Sequence, residues 1–162
     1  LSELTESIHA HLGTLDKYMG DAVMAIWGAP LDQADQADLA LECALDMQAR
    51  VARQTAVWQA QYGLADQIQI HVGINTGEVV VGEMGSVLRR TYTAIGDAVN
   101  IAARLQEQAK VWAHPILVGE ASAQALTRHQ LMRITALVLR GKHHPEAIYS
   151  LPALGLPKNV SV

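Results

Sequence analysis

The stretch Gly13-Thr-Leu-Asp-Lys17-Tyr-Met-Gly20-Asp21-Ala-Val-Met-Ala-Ile-Trp27 predicts two strands joined by a tight turn. Residues 14–18 and 22–27 are rich in apolar, aromatic and β-branched side chains, and Gly20-Asp21 between them is a typical turn pair. A carboxylate at the tip of a hairpin is exposed on a rigid support, which suits a Mg²⁺ ligand. Asp21 is therefore a candidate metal ligand, and the simpler alternative is an ordinary turn.

Helices and strands alternate outward from this hairpin. Residues 4–11 predict a helix in front of it, which Gly13 closes, and residues 38–62 predict a long helix behind it, with Asp35 and Asp38 as candidate caps. The patterns further along predict a strand at 67–74, a turn at 75–77, a strand at 78–82, a loop at 83–90, a helix at 97–109 with Asp97 as its N-cap, a strand at 115–118, a helix at 120–126, and paired strands at 131–140 and 147–151. This order predicts an α+β fold.

A strand added in front of this order would make the fold ferredoxin-like, a split βαβ sheet with helices on one face. The 162 residues suffice for one core and not for two ordinary domains, so we expect one domain over residues 1–152 and a C-terminal tail at 153–162. The chain starts without Met and inside a predicted helix. We therefore expect a segment of a larger cytoplasmic protein that carries regulatory domains elsewhere.

The composition excludes several classes of protein. Half of the residues are hydrophobic and 17% are charged, as in globular domains. The net charge of −4 gives no basic surplus, so we expect no nucleic-acid partner. No apolar stretch approaches the length of a membrane helix, and we expect no direct membrane contact from this segment. Cys43 is the only cysteine, which excludes an internal disulfide and predicts a buried thiol.

Two further segments carry residues suited to phosphate chemistry. The glycines of the stretch 72–86 allow close backbone approach to a phosphate, although a plain hairpin and loop would also explain them, and no Walker-type Gly-Lys-Ser/Thr follows. Asn100 and Arg104 are four residues apart, so they share one face of the predicted helix at 97–109. An amide beside a guanidinium can stabilise charge on phosphate or ribose oxygens, and the alternative is a solvated helix face.

Taken together, these segments resemble a known family. Lys17-x-x-Gly20-Asp21 and Tyr92-Thr93-x-x-Gly96-Asp97-x-Val99-Asn100-x-Ala-x-Arg104-Leu are similar to the two signature blocks of class III adenylyl and guanylyl cyclases. Gly73-Ile-x-Thr-Gly77 and Val80-Val-Gly82-x-x-Gly85 match the family's central hairpin, and the resemblance runs from about Gly13 to Lys142. It implies a cyclase domain that converts ATP to 3',5'-cyclic AMP and pyrophosphate, through attack of the ribose 3'-oxygen on the α-phosphorus.

The resemblance also implies a role for each matching residue. Lys17 and Thr93 match the pair that recognises the purine, and a Lys with Thr goes with adenine because lysine can donate to adenine N1. Asn100 and Arg104 match the pair that orients the ribose and stabilises the pentavalent phosphorus. Lys142 matches a lysine that meets the terminal phosphates, with an ordinary turn lysine as the alternative.

The family further implies two metal ions, Mg²⁺ or Mn²⁺, and a homodimer whose active sites are shared between two subunits. Asp21 resembles the second metal aspartate. The first belongs to a leading strand with a Phe-x-Asp-Ile-x-Gly-Phe-Thr-like block, which this segment lacks, in agreement with its absence of phenylalanine. His71 stands near the position of an arginine in mammalian members. It could touch phosphate, and we favour packing in the sheet.

Two other interpretations compete with an active adenylyl cyclase. A non-catalytic module that binds nucleotide or dimerises would explain why the first metal aspartate is missing. A degenerate site, however, would be expected to lose some of Lys17, Asp21, Asn100 and Arg104. A diguanylate cyclase or polymerase-palm relative would share the sheet. The hairpin reads Met19-Gly-Asp-Ala rather than Gly-Gly-Asp/Glu-Glu-Phe, which disfavours that reading.

Overall fold

The computed structural model describes residues 1–86, 89–138 and 145–152. Its helices and strands follow the predicted order and confirm the α+β class. They are α1 Ser2–Ala10, β1 Thr14–Met19, β2 Ala22–Ile26, α2 Gln36–Tyr62, β3 Val72–Ile74, β4 Val80–Ser86, β5 Arg89–Ile95, α3 Asp97–Val111, β6 Ile116–Gly119, α4 Glu120–Ala125, β7 Met132–Leu137 and β8 Glu146–Ser150.

The strands of the described residues form three separate sheets. β1 pairs with β2 and β4 pairs with β5, both antiparallel, and the third sheet has the order β3-β6-β8-β7. In that sheet β3 runs parallel to β6, and β8 is antiparallel to both of its neighbours. The predicted turn between Gly20 and Asp21 is present and closes the β1–β2 hairpin.

The central part of the chain corrects two predictions. The predicted pairing of residues 67–74 with residues 78–82 is wrong, because β3 begins only at Val72 and pairs with β6. The predicted loop at 83–90 is also wrong, because β4 continues to Ser86 and pairs with β5. Glycines and charged residues interrupt the alternating pattern of the β4–β5 hairpin in the sequence. The parallel partner of β3 lies more than 40 positions away, so no local pattern predicts it.

The four-stranded sheet is covered by helices at β6. Ile116 and Val118 pack against α2, whereas Leu117 between them packs against α3. Successive side chains of a strand point to opposite faces, so α2 and α3 lie on opposite sides of this strand. The sequence predicts helices on one face only. β6 differs in this detail because its run of four buried residues is apolar on both faces.

The β1–β2 hairpin is held against α1 and α2 by a third apolar cluster. Ile8 of α1 and Cys43 and Met47 of α2 are buried there, and the hairpin contributes partly buried apolar side chains, among them Leu15 and Trp27. Cys43 is buried and unbridged, as predicted, and burial raises the pKa of its thiol. The hairpin that carries Lys17 and Asp21 therefore rests on a packed helical support.

Two predicted caps differ from the observed helix starts. Asp35 is the N-cap of α2, as predicted, but Asp38 is fully buried and binds a distant loop, accepting hydrogen bonds from the backbone N–H groups of Thr127 (3.0 Å) and Arg128 (2.9 Å). Asp97 is the first helical residue of α3, and Gly96 occupies the N-cap. Burial would raise the pKa of Asp38, but these hydrogen bonds outweigh it and hold the pKa below its ordinary value.

Candidate active site

A bulge in β1 brings two consecutive side chains, those of Asp16 and Lys17, to the same residue of β5. Leu15 pairs with Ala25 and Lys17 pairs with Met24, so Asp16 lies between two paired positions without a partner of its own in β2. In a regular strand neighbouring side chains point to opposite faces, and a bulge redirects one of them. As a result, the side chains of Asp16 and Lys17 both reach Thr93 of β5.

The contacts among these three residues are short and charged. Lys17 Nζ donates a hydrogen bond to Thr93 Oγ1 at 2.8 Å, and the Thr93 hydroxyl donates to Asp16 Oδ2 at 2.6 Å. The Ala94 N–H also donates to Asp16 Oδ2 at 3.3 Å, and Asp16 Oδ1 lies 3.3 Å from Lys17 Nζ. The carboxylate of Asp16 has no exposed surface, whereas the Lys17 side chain is 39% exposed. The partly exposed Lys17 side chain is thus supported by the buried carboxylate of Asp16.

Space is left beside Thr93 on the β4–β5 hairpin. Gly82 is the residue opposite Thr93, and a Cβ built on Gly82 would meet no atom within 4 Å. Side chains at directly opposed positions of an antiparallel pair lie on the same face. The missing side chain therefore leaves room next to the Thr93 hydroxyl, which is otherwise buried.

Asp21 lies at the far end of the same hairpin. It follows Gly20, whose φ of +67° forms the turn, and its side chain is exposed. Mg²⁺ in nucleotide sites is held by one or two carboxylates together with substrate phosphates, and an exposed carboxylate on a rigid turn fits one such ligand. Among the described residues no group of three His, Cys, Asp or Glu side chains is arranged to hold a metal ion.

Asn100 and Arg104 lie on α3, which begins two residues after β5 ends. Their helix face is adjacent to the buried stripe of Ile101 and Leu105, with Asn100 exposed and Arg104 half-buried. The helix is seated tightly on β3, because a Cβ on Gly73 would overlap the Ala102 carbonyl oxygen and come within 2.5 Å of the Gln106 nitrogen. The position of the two polar side chains is thus set by close backbone packing.

The two other predicted residues are Lys142 and His71. Lys142 lies outside the described residues. His71 is half-buried and directly precedes β3, on the helix-covered sheet. The structure brings Lys17 and Thr93 into contact and carries Asp21 on the same hairpin as Lys17.

A cleft of about 340 Å³ lies elsewhere, between the start of α3 and α4. Four carboxylates line it: Glu78, Asp97, Glu120 and Glu146. A nucleoside triphosphate carries several negative charges, so the four carboxylates would repel it. The cleft is therefore a poor candidate for the nucleotide site.

Asp16 is the site residue that sequence reasoning missed. It stands next to Lys17 in the printed sequence, but strand alternation places it on the opposite face, so it draws no attention. The available signal was a charged residue inside a predicted strand, with Leu15 on one side and Lys17 on the other. A bulge is not visible in the sequence, and the contact with Thr93 spans 77 positions.

The chain belongs to the adenylate and guanylate cyclase catalytic domain family, whose sequence profile matches residues 4–152. Among curated relatives, adenylate cyclase 1 of Rhizobium meliloti (strain 1021) is 37% identical over 117 residues, covering 72% of this chain and 17% of that protein. The adenylate cyclase of Anabaena cylindrica is 30% identical over 148 residues, covering 87% of this chain and 28% of that protein. The chain thus spans less than a third of the length of these relatives.

Solved structures agree with this membership. The adenylyl cyclase CyaB from P. aeruginosa superposes with a TM-score of 0.84 at 27% identity, covering 99% of this chain and 81% of that one. The guanylyl cyclase Cya2 superposes with a TM-score of 0.79, also at 27% identity, covering 99% of this chain and 80% of that one. Structural likeness therefore extends to cyclases named for either purine nucleotide. No helix in the described ranges is long and apolar enough to cross a membrane.

Proposed function

We propose that this chain is the catalytic domain of an adenylyl cyclase, which converts ATP to 3',5'-cyclic AMP and pyrophosphate. The observation that carries the proposal is the contact of Lys17 Nζ with Thr93 Oγ1 at 2.8 Å. It sets a donor-only group beside a hydroxyl oxygen, next to the space that Gly82 leaves open. Adenine presents the complementary pair, an acceptor at N1 and an amino donor at N6.

The remaining predicted residues fit the same reaction. Asn100 and Arg104 would orient the ribose and hold the negative charge that develops on the α-phosphate as the 3'-oxygen attacks. Lys142 would meet the terminal phosphates. Asp21 would hold one of two Mg²⁺ or Mn²⁺ ions, which when bound supply Lewis-acid charge to the attacking and leaving oxygens. The chain's own contribution is to position the nucleotide and to match its charge.

We further propose that two copies of the domain share each site. Tyr18 and Met19, next to the turn that carries Asp21, are 46% and 52% exposed, so they offer apolar surface that a partner copy could cover. A partner copy would supply the metal carboxylate to the base and ribose residues of the first. Regulatory domains and a cytoplasmic location remain proposals for the whole protein.

The experiment is a product assay on a chain that includes the leading strand with the first metal aspartate, with ATP and Mg²⁺ or Mn²⁺, following cyclic AMP and pyrophosphate by chromatography. Asp21→Asn should reduce the rate at least about 100-fold, because it removes a metal carboxylate. Asp66→Asn changes an exposed aspartate in a loop and is the matched control, with an expected rate near wild type. A purified dimer that forms no cyclic nucleotide would favour the non-catalytic nucleotide-binding module instead.

A further inference from the structure

Asp16 is a buried charged group that none of the roles above uses. Its side chain has no exposed surface, and carboxylates are rarely buried without partners. Oδ2 accepts hydrogen bonds from the Thr93 hydroxyl and the Ala94 N–H. Oδ1 faces Lys17 Nζ at 3.3 Å and, within the described part of the chain, receives no hydrogen bond. Two of the partners of Asp16 are thus the two residues assigned to the purine.

The hydrogen bond to Asp16 fixes the polarity of the Thr93 hydroxyl. A threonine hydroxyl has one hydrogen to donate and two lone pairs that accept. Its hydrogen is directed to Asp16 Oδ2, and Lys17, which can only donate, occupies a lone pair. A ligand that reaches Thr93 Oγ1 therefore meets an acceptor. Without Asp16 the hydroxyl could rotate and donate as well.

A fixed acceptor beside a fixed donor distinguishes between classes of purine. A 6-aminopurine offers an N6 amino donor to Thr93 and an N1 acceptor to Lys17. A 6-oxopurine in the same pose would set its O6 against the Thr93 lone pair and its N1–H against the Lys17 ammonium. Polar mismatches of this kind inside a site discriminate strongly, because buried groups are left unpaired.

We propose that Asp16 is a specificity-determining positioning residue, which holds Thr93 as an acceptor and Lys17 as a donor and thereby selects 6-aminopurine over 6-oxopurine nucleotides. This inference rests on the proposed function of the Lys17–Thr93 pair. The bulge in β1 makes it possible, because it turns Asp16 to the same side as the lysine it supports.

The test measures dissociation constants for ATP and for inosine triphosphate, each with Mg²⁺, by isothermal titration calorimetry. The wild-type chain should prefer ATP. Asp16→Ala should reduce that preference about tenfold, the size expected when one oriented hydrogen bond is lost. Asp16→Asn should reduce it less than Asp16→Ala, because the Ala94 N–H holds the side-chain carbonyl at the Oδ2 position while the amide NH2 replaces Oδ1 beside Lys17 Nζ. A purely structural role would weaken both nucleotides together and leave their ratio unchanged.

A second pair of variants covers the case in which Asp16→Ala does not fold, as judged by circular dichroism. Thr93→Val removes the hydroxyl and should lower the preference as far as Asp16→Ala. Thr93→Ser keeps a hydroxyl that can donate to Asp16 and should retain the preference. Equal effects of valine and serine would overturn the assignment.

The outcomes separate this inference from the proposed function. An unchanged ratio in Asp16→Ala, or a wild-type chain that binds both nucleotides equally or neither, overturns the role of Asp16. Selective binding of ATP without formation of cyclic AMP would instead refute the cyclase reaction and leave the role of Asp16 standing.

Discussion

At the scale of single residues, the proposed base site depends on charge matching among three side chains. Lys17 is paired with the buried carboxylate of Asp16, which lies 3.3 Å from its ammonium. An exchange of Lys17 for a carboxylate would therefore place two anions side by side in a partly buried setting. We therefore propose that base specificity belongs to the whole cluster and not to Lys17 and Thr93 alone.

This leads to a prediction about converting the substrate preference. Lys17→Glu combined with Thr93→Cys should lower the preference for ATP over GTP roughly 100-fold, because guanine N1–H needs an acceptor. Turnover of GTP should rise clearly only when Asp16→Asn is added, which removes the repulsion. Steady-state kinetics with both nucleotides check this, and a double variant whose preference equals wild type would contradict the assignment of the pair.

A second prediction at this scale concerns Asp38. Its pKa is lowered on folding, so the carboxylate contributes stability at pH values above its ordinary pKa of 3.8, and that stability is lost as the pH falls through the folded value. Asp38→Ala should cost about 1–3 kcal/mol at neutral pH, because the Thr127 and Arg128 N–H groups lose their acceptor.

Urea unfolding of wild type and Asp38→Ala from pH 7 to pH 3 measures this difference, with Asp66→Ala as the exposed control. The gap between Asp38→Ala and wild type should narrow below about pH 4. A gap of constant size across the range would mean that the charge of Asp38 has no part in holding the loop.

At the scale of elements, the packing of α3 on β3 positions Asn100 and Arg104, the proposed catalytic pair. Gly73→Ala inserts a methyl group against the backbone of α3, where no flexible side chain can give way. We expect a loss of about 1–3 kcal/mol in the free energy of unfolding, as for other overpacked sites, and a lower cyclase rate as α3 shifts. Gly82→Ala is the matched control for stability, because its methyl group would enter open space. Equal stability of the two variants would contradict tight packing of α3.

The elements also show where sequence reasoning succeeded and where it failed. Local patterns predicted the β1–β2 hairpin, α2 and α3, since each has its own turn, cap or helical period. They missed the β4–β5 hairpin, where Glu83, Arg89 and Arg90 obscure the strands, and the partner of β3, which is distant in sequence. Lys17 and Thr93 were chosen by resemblance, whereas Asp16 required the bulge and became visible only in three dimensions.

At the scale of the whole molecule, an active site shared between two copies predicts complementation between two inactive variants. If each site takes Asp21 from one copy and Lys17, Asn100 and Arg104 from the other, a mixed dimer of Asp21→Asn with Asn100→Ala has one intact site. Random assembly of equal amounts gives half mixed dimers, so the mixture should recover roughly a quarter of wild-type activity. Each variant alone stays inactive. No recovery in a mixture shown to exchange subunits would contradict a shared site.

We propose that this fold selects ATP and cyclises it. One measurement tests it directly: equimolar ATP and GTP compete in a single reaction with Mn²⁺, and mass spectrometry quantifies both cyclic nucleotides. The donor at Lys17 and the oriented acceptor at Thr93 predict that cyclic AMP forms in large excess. Cyclic GMP in equal or greater amount would contradict the proposed preference for ATP, and no cyclic nucleotide from an assembled dimer would contradict the proposed cyclase activity.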